Sequence, residues 1–434
     1  MTHHTTTIKT TDKVTSAPTA GGTLDYPLPF FALVFFTFLI YITPQAYIPT
    51  LQPLHLPRVT AIFAVVLYVL STLKKRQSII RFEAETRLVL ILILLAVISI
   101  PFSIWPGGSL NTFTNLYLKV IIIFFLIPHV VTSLHRFKQM IWSIIFFCLF
   151  LTLIAVRDFL EGKFLHGRIA GAGLSIAANP NDLALTLNLA IPFALSYLSI
   201  YKKGLKKGVC ALFLFLVTGG VICTFSRGGF VTLTIIFGIF FLKIAKRRGA
   251  KVLLPPFVLV ILIFSILPTG YTDRMSSILD FSKDTSGSAQ LRTASAIKGF
   301  ELMLDNPVLG VGLGQNILAL NEKGLSWEQI HNVYLEIGSE LGITPMVIFI
   351  VLLYKLIKNM RLIQKDSVRF EGKQEVVLLA QAIEISLIGF AVAAMFHPVA
   401  YHFYFYYIAG FAVAIKRVQE VQTCPTEPLL SPAY

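Results

Sequence analysis

Between Lys207 and Lys243 the chain runs for 35 residues with one charge, Arg227. As a single helix that stretch would measure about 52 Å, against a hydrocarbon core of about 30 Å that roughly 20 residues cross. It therefore reads as two membrane spans, with their turn at Ser226-Arg227-Gly228-Gly229. Apolar runs of the same kind recur near 27–42, 59–73, 88–104, 115–131, 139–156, 183–200, 252–267, 332–354, 376–396 and 401–415. With 208–225 and 229–242 they predict an all-α polytopic membrane protein of about twelve transmembrane helices. A mean hydropathy of +0.75 with 14 % charged residues excludes an ordinary soluble domain.

Twelve spans put both termini on one side, and Lys and Arg decide which. The termini and the connections on their side hold 26 basic residues, and the opposite connections hold 10. Both termini are thus expected in the cytoplasm. The net charge of +15 reads as an orientation signal and a contact with membrane lipids, with no nucleic-acid partner expected. Residues 1–26 read as a disordered arm, 27–416 as the membrane domain and 417–434 as a tail. His3-His4 fall in the arm and carry no expectation of metal binding. Cys148, Cys210, Cys223 and Cys424 show no CxxC spacing, so neither a disulfide frame nor a metal site is expected.

Two outer connections are long, 157–182 and 268–331. In the second, SAQLRTASAIKGFELML carries Leu291, Ala294, Ile297, Phe300 and Leu304 at three- and four-residue steps. This predicts an amphipathic helix from Ser288 to about Leu304, lying on the surface or over a cavity mouth. LGVGLGQN, 309–316, has the wrong glycine spacing for a dinucleotide loop and reads as a tight turn after Pro307.

Three outer arginines, Arg168, Arg227 and Arg292, are not required by orientation. A planar guanidinium binds phosphate oxygens in pairs and keeps its charge when partly desolvated, so the three together point to an anion site. Ser226 and the glycines after Arg227 are expected to let backbone N–H groups approach that anion. His331 stands where the large loop meets the tenth run. Asn332, Glu336, Ser339 and Glu340 continue from it as one polar helix face, turned into the bundle or a wet cavity. At such a mouth a histidine can take a proton from a hydroxyl. Asn179-Pro180-Asn181-Asp182 reads as a turn whose Asn181 or Asp182 caps the next helix, or as a place where substrate sits. Lys119 is either an anion contact or an interfacial lysine. Glu384, within a span, requires a polar partner.

GRIAGAGLSIAANPNDLAL (167–185), TFSRGGFVTL (224–233), LRTASAIKGFELMLDNPVLGVGLGQN (291–316) and HNVYLEIGSELGI (331–343) resemble the O-antigen ligase and polymerase family of bacterial envelope glycosyltransferases. The resemblance implies a GT-C-like enzyme working at the periplasmic face of the inner membrane, needing neither metal nor nucleotide and no cofactor. Its donor would be a glycan on undecaprenyl diphosphate and its acceptor a hydroxyl of lipid A core or a similar surface glycan. Arg227 and Arg292 would hold the diphosphate, Arg168, Ser226 and Asn332 would contact substrate, and His331 would be the catalytic base or the group that orients the acceptor. A polymerase or a protein O-oligosaccharyltransferase is the alternative within the family. A transporter or flippase of an anionic lipid-linked substrate is the alternative outside enzymes, with Glu384 its sole support. The arginines and His331, 65 and 39 residues apart in sequence, are expected around one outer cavity, with Asn332-Glu336-Ser339-Glu340 lining or supporting it.

Overall fold

The structure is a computed structural model describing residues 26–165, 168–169, 179–249, 251, 287–325, 327–366 and 374–423. Residues 1–25, 170–178, 252–286 and 424–434 lie outside it, and with them the ninth expected span, most of the arm and most of the tail.

Among the described residues the chain is helical apart from one minimal hairpin, Phe164–Leu165 paired antiparallel with Arg168–Ile169. The helices in order are α1 (Pro27–Tyr41), α2 (Leu56–Lys74), α3 (Ala84–Ser99), α4 (Pro106–Thr112), α5 (Leu118–Val130) and α6 (Leu134–Leu160). There follow α7 (Pro180–Ile200), α8 (Leu205–Cys223), α9 (Arg227–Arg248), α10 (Ser288–Asp305) and α11 (Asn316–Glu322). The last are α12 (Val333–Leu341), α13 (Ile343–Asp366), α14 (Gln374–Ala393) and α15 (Phe403–Thr423). In hydrocarbon a helix satisfies its own backbone, which is why runs of Leu, Ile, Val and Phe with no polar partners take this form.

Nine helical segments among the described residues are long and apolar enough to cross a membrane. They coincide with nine of the expected runs, so the chain is a multi-pass membrane protein. The run at 332–354 is not one continuous helix. It breaks at Gly342, where φ is +96°, and a Cβ there would stand 2.5 Å from the Val308 carbonyl oxygen. The last run is α15, which continues past residue 416 to Thr423 with Arg417 buried.

The most buried spans are α7 and α14. They pack on each other and are tied by hydroxyls, Ser196 Oγ donating to Leu378 O at 2.8 Å and Ser386 Oγ to Leu189 O at 3.0 Å. Lipid tails give helices no hydrophobic reason to prefer each other, so small residues and such bonds set the contacts. α9 packs on both: Gly229 meets Ala184, and Gly389 meets Ile236. Glu384 finds its partners here. Arg361 Nε and Gln364 Nε2 each donate to it at 2.8 Å, and Lys243 joins them.

Candidate active site

α8 stops at Cys223 and α9 starts at Arg227, so the turn is Thr224-Phe225-Ser226, with Phe225 at φ +54°. The expected turn lay two residues later. Ser226 is the N-cap: its Oγ accepts from Gly229 N at 3.1 Å and donates to Asn181 Oδ1 at 2.7 Å. Asn188 Nδ2 donates to Gly229 O at 2.8 Å. A Cβ on Gly229 would lie 2.6 Å from Ala184 Cβ. The glycines are helical, and Gly229 serves close helix packing; its N–H is taken by Ser226, not left for an anion. Arg227, half-buried, is the first residue of α9, where the helix dipole and the guanidinium add positive charge at the same place.

His331 sits just before α12. Its Nδ1 lies 2.8 Å from Gln329 O. A carbonyl can only accept, so Nδ1 carries the proton and Nε2 is left as the acceptor. Burial, then the guanidinium of Arg292, and more weakly that of Arg168, push the His331 pKa below its ordinary value. The neutral, proton-accepting form is therefore favoured, and both arginines act on the imidazole from separate elements, α10 and the hairpin.

Asn332 Oδ1 caps α12, accepting from Tyr334 N at 3.0 Å and Leu335 N at 3.1 Å. The polar face beyond it is buried. Glu336 accepts from Ala400 N at 3.1 Å, and Ser339 Oγ bonds Glu336 O at 3.2 Å. Glu340 accepts from Gly314 N at 2.8 Å and Asn316 N at 3.1 Å. The face supports surrounding loops. The glycine-rich turn is a clasp on α12: Val311 N donates to Ser339 O at 2.8 Å and Gly312 N to Glu340 O at 2.9 Å. Gly310, at φ +65°, approaches so closely that a Cβ would lie 2.2 Å from the Glu340 carbonyl carbon.

α10 spans Ser288–Asp305, one residue beyond the expected end, and lies on α12. Its buried side is Ser295, Gly299, Leu302 and Met303, with Gly299 against Ile330 and Met303 against Gly338. Leu291, Ile297, Phe300 and Leu304 are exposed. The apolar stripe thus faces outward, and the protein contact joins Leu302 and Met303 with the small residues Ser295 and Gly299.

The connection between α14 and α15 gathers these parts. Val333 N donates to Ala394 O at 2.8 Å, and a methyl on Gly228 would stand 3.5 Å from Phe396 Cβ. His397 Nε2 lies 3.3 Å from Asp182 Oδ1, and the Tyr404 hydroxyl is beside the same carboxylate. The 3.3 Å approach lacks hydrogen-bond alignment. Burial, then the charges of Arg292 and His331, lower the His397 pKa to about 3. The structure thus brings Arg168, Arg292, His331 and His397 into one electrostatic neighbourhood. The start of α9 adjoins this connection through Gly228 beside Phe396, and Ser226 ties it to Asn181 near Asp182. His397 is the member that motif reading passes over, while Asp182 falls in a turn read as a helix cap or a place where substrate sits. The connection that carries His397 holds no Lys or Arg to draw notice.

A neutral imidazole with a directed acceptor nitrogen, next to guanidinium groups from distant loops, can deprotonate a hydroxyl while stabilising charge on phosphate oxygens. No curated protein matches this chain. Residues 212–350 match the O-antigen ligase family model, which supports a ligase- or polymerase-type glycosyltransferase role. That segment, which is similar to the O-antigen ligase family, holds Arg227, Arg292, His331 and the Asn332-to-Glu340 face.

Proposed function

We propose that the protein transfers a glycan from undecaprenyl diphosphate to an acceptor hydroxyl, lipid A core or a similar surface glycan, at the periplasmic face of the inner membrane. Both termini are then cytoplasmic, and the run at 252–267, with α12–α13 and α15, brings the spans to twelve. Arg227 and Arg292 hold the donor diphosphate, and Arg168 contacts the substrate. The acceptor oxygen attacks the anomeric carbon, the bond from that carbon to the diphosphate oxygen breaks, and the diphosphate leaves with the electron pair. The hydroxyl proton passes to His331 Nε2.

The observation that carries this reading is the setting of His331: Nδ1 tied to Gln329 O, and its pKa lowered by burial and then by the guanidinium groups of Arg292 and Arg168. Fixed donors aimed at developing charge contribute roughly 10²–10³ in rate each. Glu384, the support for transport, is held by Lys243, Arg361 and Gln364, and this structural pairing accounts for it. The test is purified protein with lipid-linked oligosaccharide and candidate acceptors. Arg227→Ala is expected to lower transfer by about 10²–10³, and Arg227→Lys by less, because a point charge replaces the fork. Near-normal transfer by folded Arg227→Ala protein overturns the diphosphate assignment.

A further inference from the structure

A recess opens at the end of the bundle away from His331. α6, α7 and α8 each run from one end to the other, and α7 with 21 residues is about 31 Å long. Where α6 begins and α7 joins α8, a membrane thickness from Asp182 and Arg227, a cavity of about 450 Å³ opens between α1, α6 and that connection. Phe31, Trp142 and Tyr201 wall it, and His135, Lys138 and Lys206 stand at its polar side.

The walls are preformed. Trp142 stacks on Tyr197 with ring centroids 5.3 Å apart, and its Nε1 donates to Tyr201 Oη at 3.3 Å. The Lys206 ammonium lies 5.7 Å from the Tyr201 ring centre, and Arg136 lies 4.6 Å from that of Phe30. Segments 132–138 and 201–207 together carry six Lys and Arg and no Asp or Glu. Glu375 meets Lys138 at 2.8 Å, leaving a strongly positive balance at the mouth. One helical turn deeper, Phe35 follows Phe31 on α1 and Phe146 follows Trp142 on α6, 51 % and 68 % exposed.

A basic mouth continued by an exposed aromatic strip matches an amphiphile with an anionic head and an apolar tail. Free phosphate matches the mouth alone, and a zwitterionic lipid matches the strip alone. We propose that this recess binds an anionic phospholipid, its phosphate among Lys206, His135 and Lys138 and an acyl chain along Phe35 and Phe146. Basic pockets between membrane helices are suited to such headgroups. The site joins α1, α6 and the α7–α8 connection, and it is independent of the glycosyl-transfer reading.

The test is native mass spectrometry of the detergent-purified full chain with phosphatidylglycerol and phosphatidylethanolamine at equal concentration. One phosphatidylglycerol is expected to survive delipidation, bound at least tenfold more tightly than phosphatidylethanolamine. Lys206→Glu should weaken phosphatidylglycerol roughly fivefold or more and leave phosphatidylethanolamine unchanged. Ser143→Trp, which fills the cavity without altering charge, should displace the lipid. Equal retention of both lipids overturns the proposal, as does a wild-type preference in both variants. Displacement by inorganic phosphate, with no effect of Phe146→Ala, overturns the lipid assignment in favour of a free-anion site.

Discussion

The carboxylates of α12 and those of Glu384, Glu83 and Glu85 are held differently. Around His331, Glu336 and Glu340 are met by backbone N–H groups of Ala400, Gly314 and Asn316. In the second group the partners are cations: Arg361 and Lys243 on Glu384, Arg417 on Glu83 at 2.6 Å, Lys416 on Glu85 at 3.4 Å. A backbone amide is part of the fold and positions loops. An ion pair joins helices through charge and depends on both partners. Positive charge therefore ties helices together around the second group. Near α12 it acts as a field on an imidazole, through Arg292 and Arg168.

The largest expected effect breaks the comparison at the His331 end. His331→Ala should lower transfer by about 10²–10⁴, the range for a general base, with the melting temperature near that of the wild type. The pH profile sharpens it. Because burial and the guanidiniums depress the His331 pKa, the acid limb of transfer should fall below the ordinary 6.5, and Arg292→Gln should move that limb upward. The same depression means that only the unfolded chain takes up this proton as pH falls through 6.5, so stability declines there. An unchanged limb in Arg292→Gln removes the coupling.

Next in size is Glu384→Gln. It leaves Lys243 and Arg361 without their carboxylate, and the cost expected is about 2–4 kcal/mol, below the fully buried case because Arg361 is half exposed. Thermal unfolding in detergent measures it, and turnover per folded molecule should hold. A loss under 1 kcal/mol would show that ion pairs do not hold those helices. The smallest effect is expected for Glu336→Gln, because the amide oxygen still accepts from Ala400 N. The change should stay within about 1 kcal/mol, the net worth of one hydrogen bond. A loss as large as that of Glu384→Gln would erase the distinction between the two groups.

Much of the fold was legible because bilayer thickness converts apolar length into helices. Nine runs became spans, and the helix at Ser288 was visible in its three- and four-residue steps. The same periodicity misjudged which side of that helix packs. It weighs hydrophobicity, whereas the packed side is set by close approach at glycines, Met303 against Gly338 of α12 and Gly299 against Ile330 just before it. The run at 332–354 looked continuous because its break at Gly342 comes with the Pro307–Val308 backbone and the clasp at Gly310 and Gly312, which are 30 to 35 residues away in sequence.

By itself, the sequence determined a multi-pass helical membrane chain and singled out Arg168, Arg227, Arg292 and His331. Hydropathy, charge and local motifs depend on neighbours along the chain, and these are all present in one line of residues. Only the tertiary structure decided that Arg292 and Arg168 act on His331, that Asp182 approaches His397, and that Glu336 and Glu340 hold loops. The physical reason is range: an imidazole's pKa and a carboxylate's partner are set within a few ångströms in space, by residues tens to hundreds of positions apart.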